Sequence, residues 1–111
     1  MARSKPDTLQ GTLDLLVLKT LAVRGSLHGY AIAQRLQQVS RDVVQVPQGS
    51  LYPALHRMTD QGWIKGKWGS TENNRQARFY ALTAAGRKQL AEEQESWARL
   101  TEGVSRVLRY A

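Results

Sequence analysis

The 111 residues predict a mostly α-helical fold with one small β-hairpin, and three observations carry that expectation. Apolar residues recur at helical spacing through 8–23, 31–39 and 48–61. Two short runs of strand-like composition, 63–68 and 77–82, bracket a polar loop rich in turn formers. From Thr83 to about Arg109 the chain meets no helix breaker except Gly103.

Residues 1–7 read as a polar, mobile leader whose Arg3 and Lys5 are solvated. In the first helix, 8–23, Leu9, Leu13, Leu16 and Thr20 fall on one face, and Leu15, Leu18 and Leu21 on another. A helix that is apolar most of the way round must be buried on two sides. The expectation is therefore that one side packs on its own core, while Leu15 and Leu18 help to meet a second subunit. Arg24, Gly25 and Ser26 end the helix, and His28 opens the next one as a turn or cap residue. That second helix, 31–39, carries the core stripe Ile32, Leu36 and Val39.

The third helix organises the chain. At 100° per residue, Leu51, Leu55 and Met58 cluster within about 60° and face a core. The outer side presents Gly49, Ser50, Tyr52, Pro53, His56, Arg57 and Asp60. Pro53 lacks an N–H and is tolerated only in a first turn, so the helix starts near Gln48, with Ser50 as its expected cap. Gly62 supplies the left-handed stop. The hairpin that follows puts Lys65 and Lys67 on one strand face, Asn74 at its tip, and Arg75 and Arg78 beside its second strand.

Thr83 is the expected N-cap of the last helix. Heptad spacing places Leu90, Trp97 and Val104 at a, and Leu100 and Val107 at d, with Glu93 interrupting the first d position. Such a seam suits a second copy of the same helix.

Charge is placed as unevenly as the apolar residues. Of the net +7, residues 15–91 hold eleven cations against Asp42, Asp60 and Glu72 alone. A localised cationic region points to a polyanion, and nucleic acid fits better than a membrane, since no basic amphipathic helix or membrane-length apolar run is present. Cysteine is absent, which excludes disulfides, thiolate metal sites and cysteine nucleophiles. The two histidines stand apart from any ligand-spaced carboxylates, and no nucleophile elbow or phosphate loop occurs, so no metal, cofactor or catalytic centre is expected. Cytoplasmic localisation is the expectation.

In order, three helices, a basic hairpin and a long helix describe a winged helix-turn-helix at 8–82 with a terminal dimerisation helix at 83–110, in one compact unit. Such a fold reads double-stranded DNA with its recognition helix in the major groove. Arg57 and Gln48 have side chains suited to guanine and adenine edges. Gly49, Ser50, Tyr52, Pro53 and His56, together with Lys65, Lys67, Asn74, Arg75 and Arg78, complete the expected DNA surface. The rival expectation is a protein-interaction adaptor that pairs through the last helix without binding DNA.

The motifs LHGYAIAQRL (27–36), VPQGSLYPALHRM (46–58), GWIKGKWG (62–69) and NNRQARFYALTAAGRKQL (73–90), with Trp97 beyond them, resemble the PadR family of bacterial transcriptional regulators, in its compact form. The resemblance spans residues 9 to about 109. It implies a homodimeric repressor on a palindromic promoter site, a DNA-contacting helix at 48–61 in which Ser50 and Tyr52 match the family's Ser and Tyr, and a wing at 64–82. It further implies that Trp97 matches a tryptophan that in some members lines a pocket for flat aromatic effectors at the dimer interface.

Overall fold

The computed structural model describes the backbone from Ser4 and side chains from Gly11 to Ala111, so the expectations for Arg3, Lys5 and Leu9 as side chains lie outside the described residues. Seven elements follow in order: α1 (Ser4–Arg24), β1 (Leu27–His28), α2 (Gly29–Val39), α3 (Gln48–Asp60), β2 (Ile64–Ser70), β3 (Gln76–Leu82) and α4 (Ala84–Tyr110). The fold is the expected mostly helical one with a small sheet and a long last helix.

Helix α1 is the centre of the domain, packed by α2, α3, β3 and α4. It starts at Ser4, earlier than its apolar pattern announces. Leu15, Val17, Leu18 and Leu21 are all buried in a core shared with Ile32 and Leu36 of α2, Leu51, Leu55 and Met58 of α3, Ile64, Tyr80 and Leu90. This corrects one expectation. Leu15 and Leu18 are packed into the chain's own core and present no surface to a second subunit, while Leu13 and Leu16 on the other side are half-buried. Leu90 is corrected for the same reason: it closes the core from α4 and is 7% exposed.

The sheet has three strands in the order β1-β3-β2, all antiparallel. Strand β1 was not expected; its two residues pair with Tyr80 and Phe79. His28 does the capping job anticipated for it, accepting at Nδ1 from the Ala31 N–H at 3.3 Å, while its ring meets Phe79 edge-on.

Helix α3 runs into Gly62, whose φ of 80° is the left-handed stop. Its start differs from expectation: Pro47 is the N-cap residue and no side chain caps the helix, so Ser50 sits inside the first turn. The junction into α4 is tightly built. The Thr83 hydroxyl accepts from the Gly86 N–H at 3.0 Å and donates toward the Gly62 and Trp63 carbonyls, at 2.6 and 3.0 Å. These contacts seat the first turns of α4 on the domain. Beyond them α4 continues unbroken through Gly103, and the molecule extends 54 Å along one axis against 29 Å along the others. Trp97, Leu100, Val104 and Val107 on the far part of α4 are exposed.

Candidate nucleic-acid interface

The interface is built on α3, whose Leu51, Ala54, Leu55 and Met58 fix one side in the core. Gln48, Gly49, Ser50, Tyr52, Pro53 and His56 are then exposed together, as their helical spacing requires. At the start of the helix the Ser50 and Leu51 N–H groups both turn to the Pro47 carbonyl at 3.0 Å. The N–H groups of Gln48 and Gly49, at the positive end of the helix dipole, have no acceptor within the helix. His56 reaches the Asp60 carboxylate at 3.5 Å across one exposed turn.

Tyr52 is held in place by what it leans on. Gly29, buried in the first turn of α2, leaves room for its ring: a Cβ there would come within 2.7 Å of Cε1 and 2.8 Å of the hydroxyl. Tyr52 as a whole is 43% exposed and borders the groove.

The hairpin supplies the second wall. Its tip is a closed turn in which Thr71 donates to the Arg75 carbonyl at 2.8 Å and Asn74 takes a left-handed φ of 61°. Trp68 pairs with Arg78 in register, and the Arg78 guanidinium lies 6.0 Å from the centre of the Trp68 ring. Trp68 is 65% exposed. Between this hairpin and the helices runs an open groove of about 1000 Å³, with Tyr30, Gln34 and Tyr52 on one wall and Trp68, Arg75 and Arg78 on the other, and Glu72 at its outer end.

The structure thus brings Tyr52, Arg75 and Arg78 around one groove. Lys65 and Lys67 pair with Ala81 and Phe79 on the strand face opposite Trp68, and neither lines the groove. Gln48 borders a second cleft between α2 and α3 that also meets Gln34, Gln38 and Tyr52.

Arg57 is not where its helical position placed it. Its two terminal nitrogens donate to the two carboxylate oxygens of Asp14 on α1, both at 2.8 Å. Those hydrogen bonds raise the Arg57 pKa above the usual guanidinium value, against an opposing effect of partial burial. The Asp14 pair turns the end of the Arg57 guanidinium toward α1 and uses its two terminal nitrogens, the pair a bidentate guanine contact would employ. The structure thus places Arg57 against α1 and not with the exposed residues of α3 from which a base reader was expected.

Tyr30, Gln34 and Trp68 were absent from the sequence-derived set. Trp68 had a usable signal, since a large aromatic four residues past Ile64 on a hairpin strand lies beyond the reach of the core. Tyr30 and Gln34 had none, because only the folded hairpin shows that the first turns of α2 face the groove.

Among the described residues no group of His, Cys, Asp and Glu could hold a metal ion, and no helix is long and apolar enough to cross a membrane. The model of the transcriptional regulator PadR-like family matches residues 17–92. The transcriptional regulator Rv3488 of Mycobacterium tuberculosis is 32% identical over 83 residues, which are 75% of this chain and 74% of that protein. A solved PadR family transcriptional regulator from Eggerthella lenta is 28% identical with a TM-score of 0.77, covering 99% of this chain and 94% of its own. A transcriptional regulator from Clostridium thermocellum has a TM-score of 0.80 over 90% of this chain and 96% of its own; at 24% identity that likeness concerns the fold alone.

Proposed function

The chain belongs to the PadR-like family of transcriptional regulators, and on that premise we propose that it is a homodimeric repressor of a two-fold symmetric promoter site, released by an effector. One observation carries the reading: Tyr52 of α3 and Arg75 and Arg78 of the hairpin border the same groove.

A duplex seated there places α3 in the major groove and passes one phosphate backbone between helix and wing. Gln48 offers a donor and an acceptor to an adenine edge. Ser50, Tyr52, Arg75 and Arg78 hold phosphates, assisted by the free N–H groups at the α3 start. Trp68, stiffened by Arg78, packs flat against sugar or base at the minor-groove side. His56 and Asn74 contribute polar contacts at the edges, and Gly49 and Pro53 let the backbone approach closely. Lys65 and Lys67 add longer-range attraction, being turned from the groove.

In this reading residues 8–82 bind DNA and 83–110 pair two copies. The exposed spacing of Trp97, Leu100, Val104 and Val107 supports the pairing. Trp97, 46% exposed at the near end of this stripe, is also the surface on which a flat aromatic or other small effector would stack between copies.

Fluorescence anisotropy tests the proposal, using a random-sequence duplex and a duplex selected by the protein from a random pool. Affinity for both should fall steeply with salt, with a log–log slope near −0.9 for each phosphate neutralised. The selected site should show two-fold symmetry with half-sites roughly 34 Å apart. A protein-interaction adaptor would bind neither duplex.

A further inference from the structure

We propose that Arg57 and Asp14 form a positioning clamp for DNA reading: Arg57 touches no DNA, and the pair fixes the angle at which α3 is presented to the groove. The inference rests on the DNA-binding reading above and adds to it residues outside the interface itself.

The first ground is the placement of Asp14. Its side chain is 6% exposed, on a helix whose neighbouring Leu15, Val17 and Leu18 are core residues. An ionised carboxylate in such surroundings is costly to keep, and a buried ion pair with good geometry roughly offsets its own desolvation. Apolar residues of similar volume would stabilise the domain at least as well. What the pair offers beyond them is direction.

The second ground is the geometry of the fork. The other buried contacts of α3 are Leu51, Ala54, Leu55 and Met58, and apolar contact is non-directional. Those side chains decide which side of α3 is buried but supply no directional bond that fixes its exact rotation about its axis. Two N–H···O bonds of 2.8 Å from one guanidinium to one carboxylate do fix that rotation, because a small roll lengthens one of them. The fork sits near the end of α3, about two turns beyond Gln48 and Ser50. A roll of the helix would therefore be felt directly at the residues that approach the bases.

The third ground is what α1 touches elsewhere. One turn before Asp14, a Cβ placed on Gly11 would lie 4.0 Å from the Glu93 carboxylate of α4, and α1 packs along α4. The helix that anchors the clamp is thus also the one on which the pairing helix rests.

The test combines thermal unfolding with anisotropy on two probes, the pool-selected duplex and a random duplex. The variants are Asp14→Asn, Arg57→Gln, Arg57→Lys and the apolar pair Asp14→Ala/Arg57→Met. The apolar pair should melt near the wild type, since it leaves no buried charge. It should nevertheless bind the selected site about tenfold more weakly, a typical size for coupling through a packed network. Its affinity for random duplex, and the salt slope, should stay unchanged. Arg57→Lys keeps the charge but not the fork, and should lose site discrimination while remaining folded. In the single and double variants the losses of discrimination should be non-additive.

Wild-type discrimination in either the apolar pair or Arg57→Lys would make the clamp a structural element only and overturn the inference. A salt slope shallower by about 0.9 in Arg57→Gln, with Asp14→Asn unaffected, would make Arg57 a phosphate contact and overturn it too. Failure of the wild type to bind any duplex would instead refute the DNA-binding reading, before any variant is compared.

Discussion

Replacing Gly29 by Ala separates the positioning of Tyr52 from the stability of the domain. The new Cβ would lie 2.7 Å from Tyr52 Cε1 and 2.9 Å from Cζ. Carbon atoms in good contact stand about 3.5–4.0 Å apart, so the ring must retreat by about 1 Å. Tyr52 is half-exposed and borders the open groove, which gives the ring room to retreat into. Gly29 has ordinary helical backbone geometry, and alanine in a helix is favoured over glycine by roughly 0.5–1 kcal/mol. The gain and the displacement should nearly cancel, leaving stability within about 1 kcal/mol of wild type. The phenol, however, leaves the place from which it reaches a phosphate. A hydrogen bond to a charged group is worth about 1.5–3 kcal/mol, so affinity should fall roughly tenfold or more. Anisotropy on the selected duplex, read beside a urea titration, measures both quantities. Tyr52→Phe keeps the ring and removes the hydroxyl, and should weaken binding to a similar extent. Unchanged affinity in Gly29→Ala, or a large stability loss with intact binding, would refute the placement of Tyr52 at the backbone.

Arg78→Gln should make the salt dependence of DNA binding shallower by about 0.9 in log–log slope, whereas Lys65→Gln, on the other strand face, should change it by clearly less. Trp97→Ala should give monomers or a much looser dimer by light scattering; an unchanged mass at low protein concentration would count against the seam. Gly86→Ala would press a Cβ into the Trp63 carbonyl oxygen, a backbone atom that cannot swing aside. It should lower the urea midpoint by the equivalent of about 2–3 kcal/mol with little change in m.

The parts of the fold legible in the sequence were those fixed by neighbours along the chain. The core stripe of α3, the Gly62 stop, the hairpin and the Thr83 cap each depend on a handful of consecutive residues. Strand β1 was not legible, because two residues carry no periodicity and become a strand only when β3 offers them an edge. The Ser50 cap failed because Pro47, already extended before the helix, took the capping position. Arg57 failed through reach. On a helical projection it lies about 60° from Ala54, at the border of the buried side. A long side chain at that border can turn outward or inward, and the partner that decides is Asp14, 43 residues earlier. No local pattern connects the two.

The misplaced dimer residues follow a related logic, and it bears on how two copies would meet. Apolar residues all round α1 require burial but do not say by which chain, and for Leu15 and Leu18 the chain's own elements suffice. The heptad on α4 likewise has no knowledge of where the domain ends. That boundary is set by Thr83, whose bonds to the Gly62 and Trp63 carbonyls seat the start of the helix and direct Leu90 into the core. One heptad later, Trp97 is half exposed, so the free seam starts between them. From Trp97 to Tyr110 it runs only about 20 Å at 1.5 Å per residue, too short for a strong coiled coil from aliphatic residues alone. Most of its contact area must then come from its largest side chain, and aromatic residues at the centre of an interface commonly dominate its energy. The expected effect of Trp97→Ala on assembly is correspondingly large, and larger than that of Leu100→Ala or Val104→Ala. Equal losses from the three would mean that the copies meet along some other face of the helix.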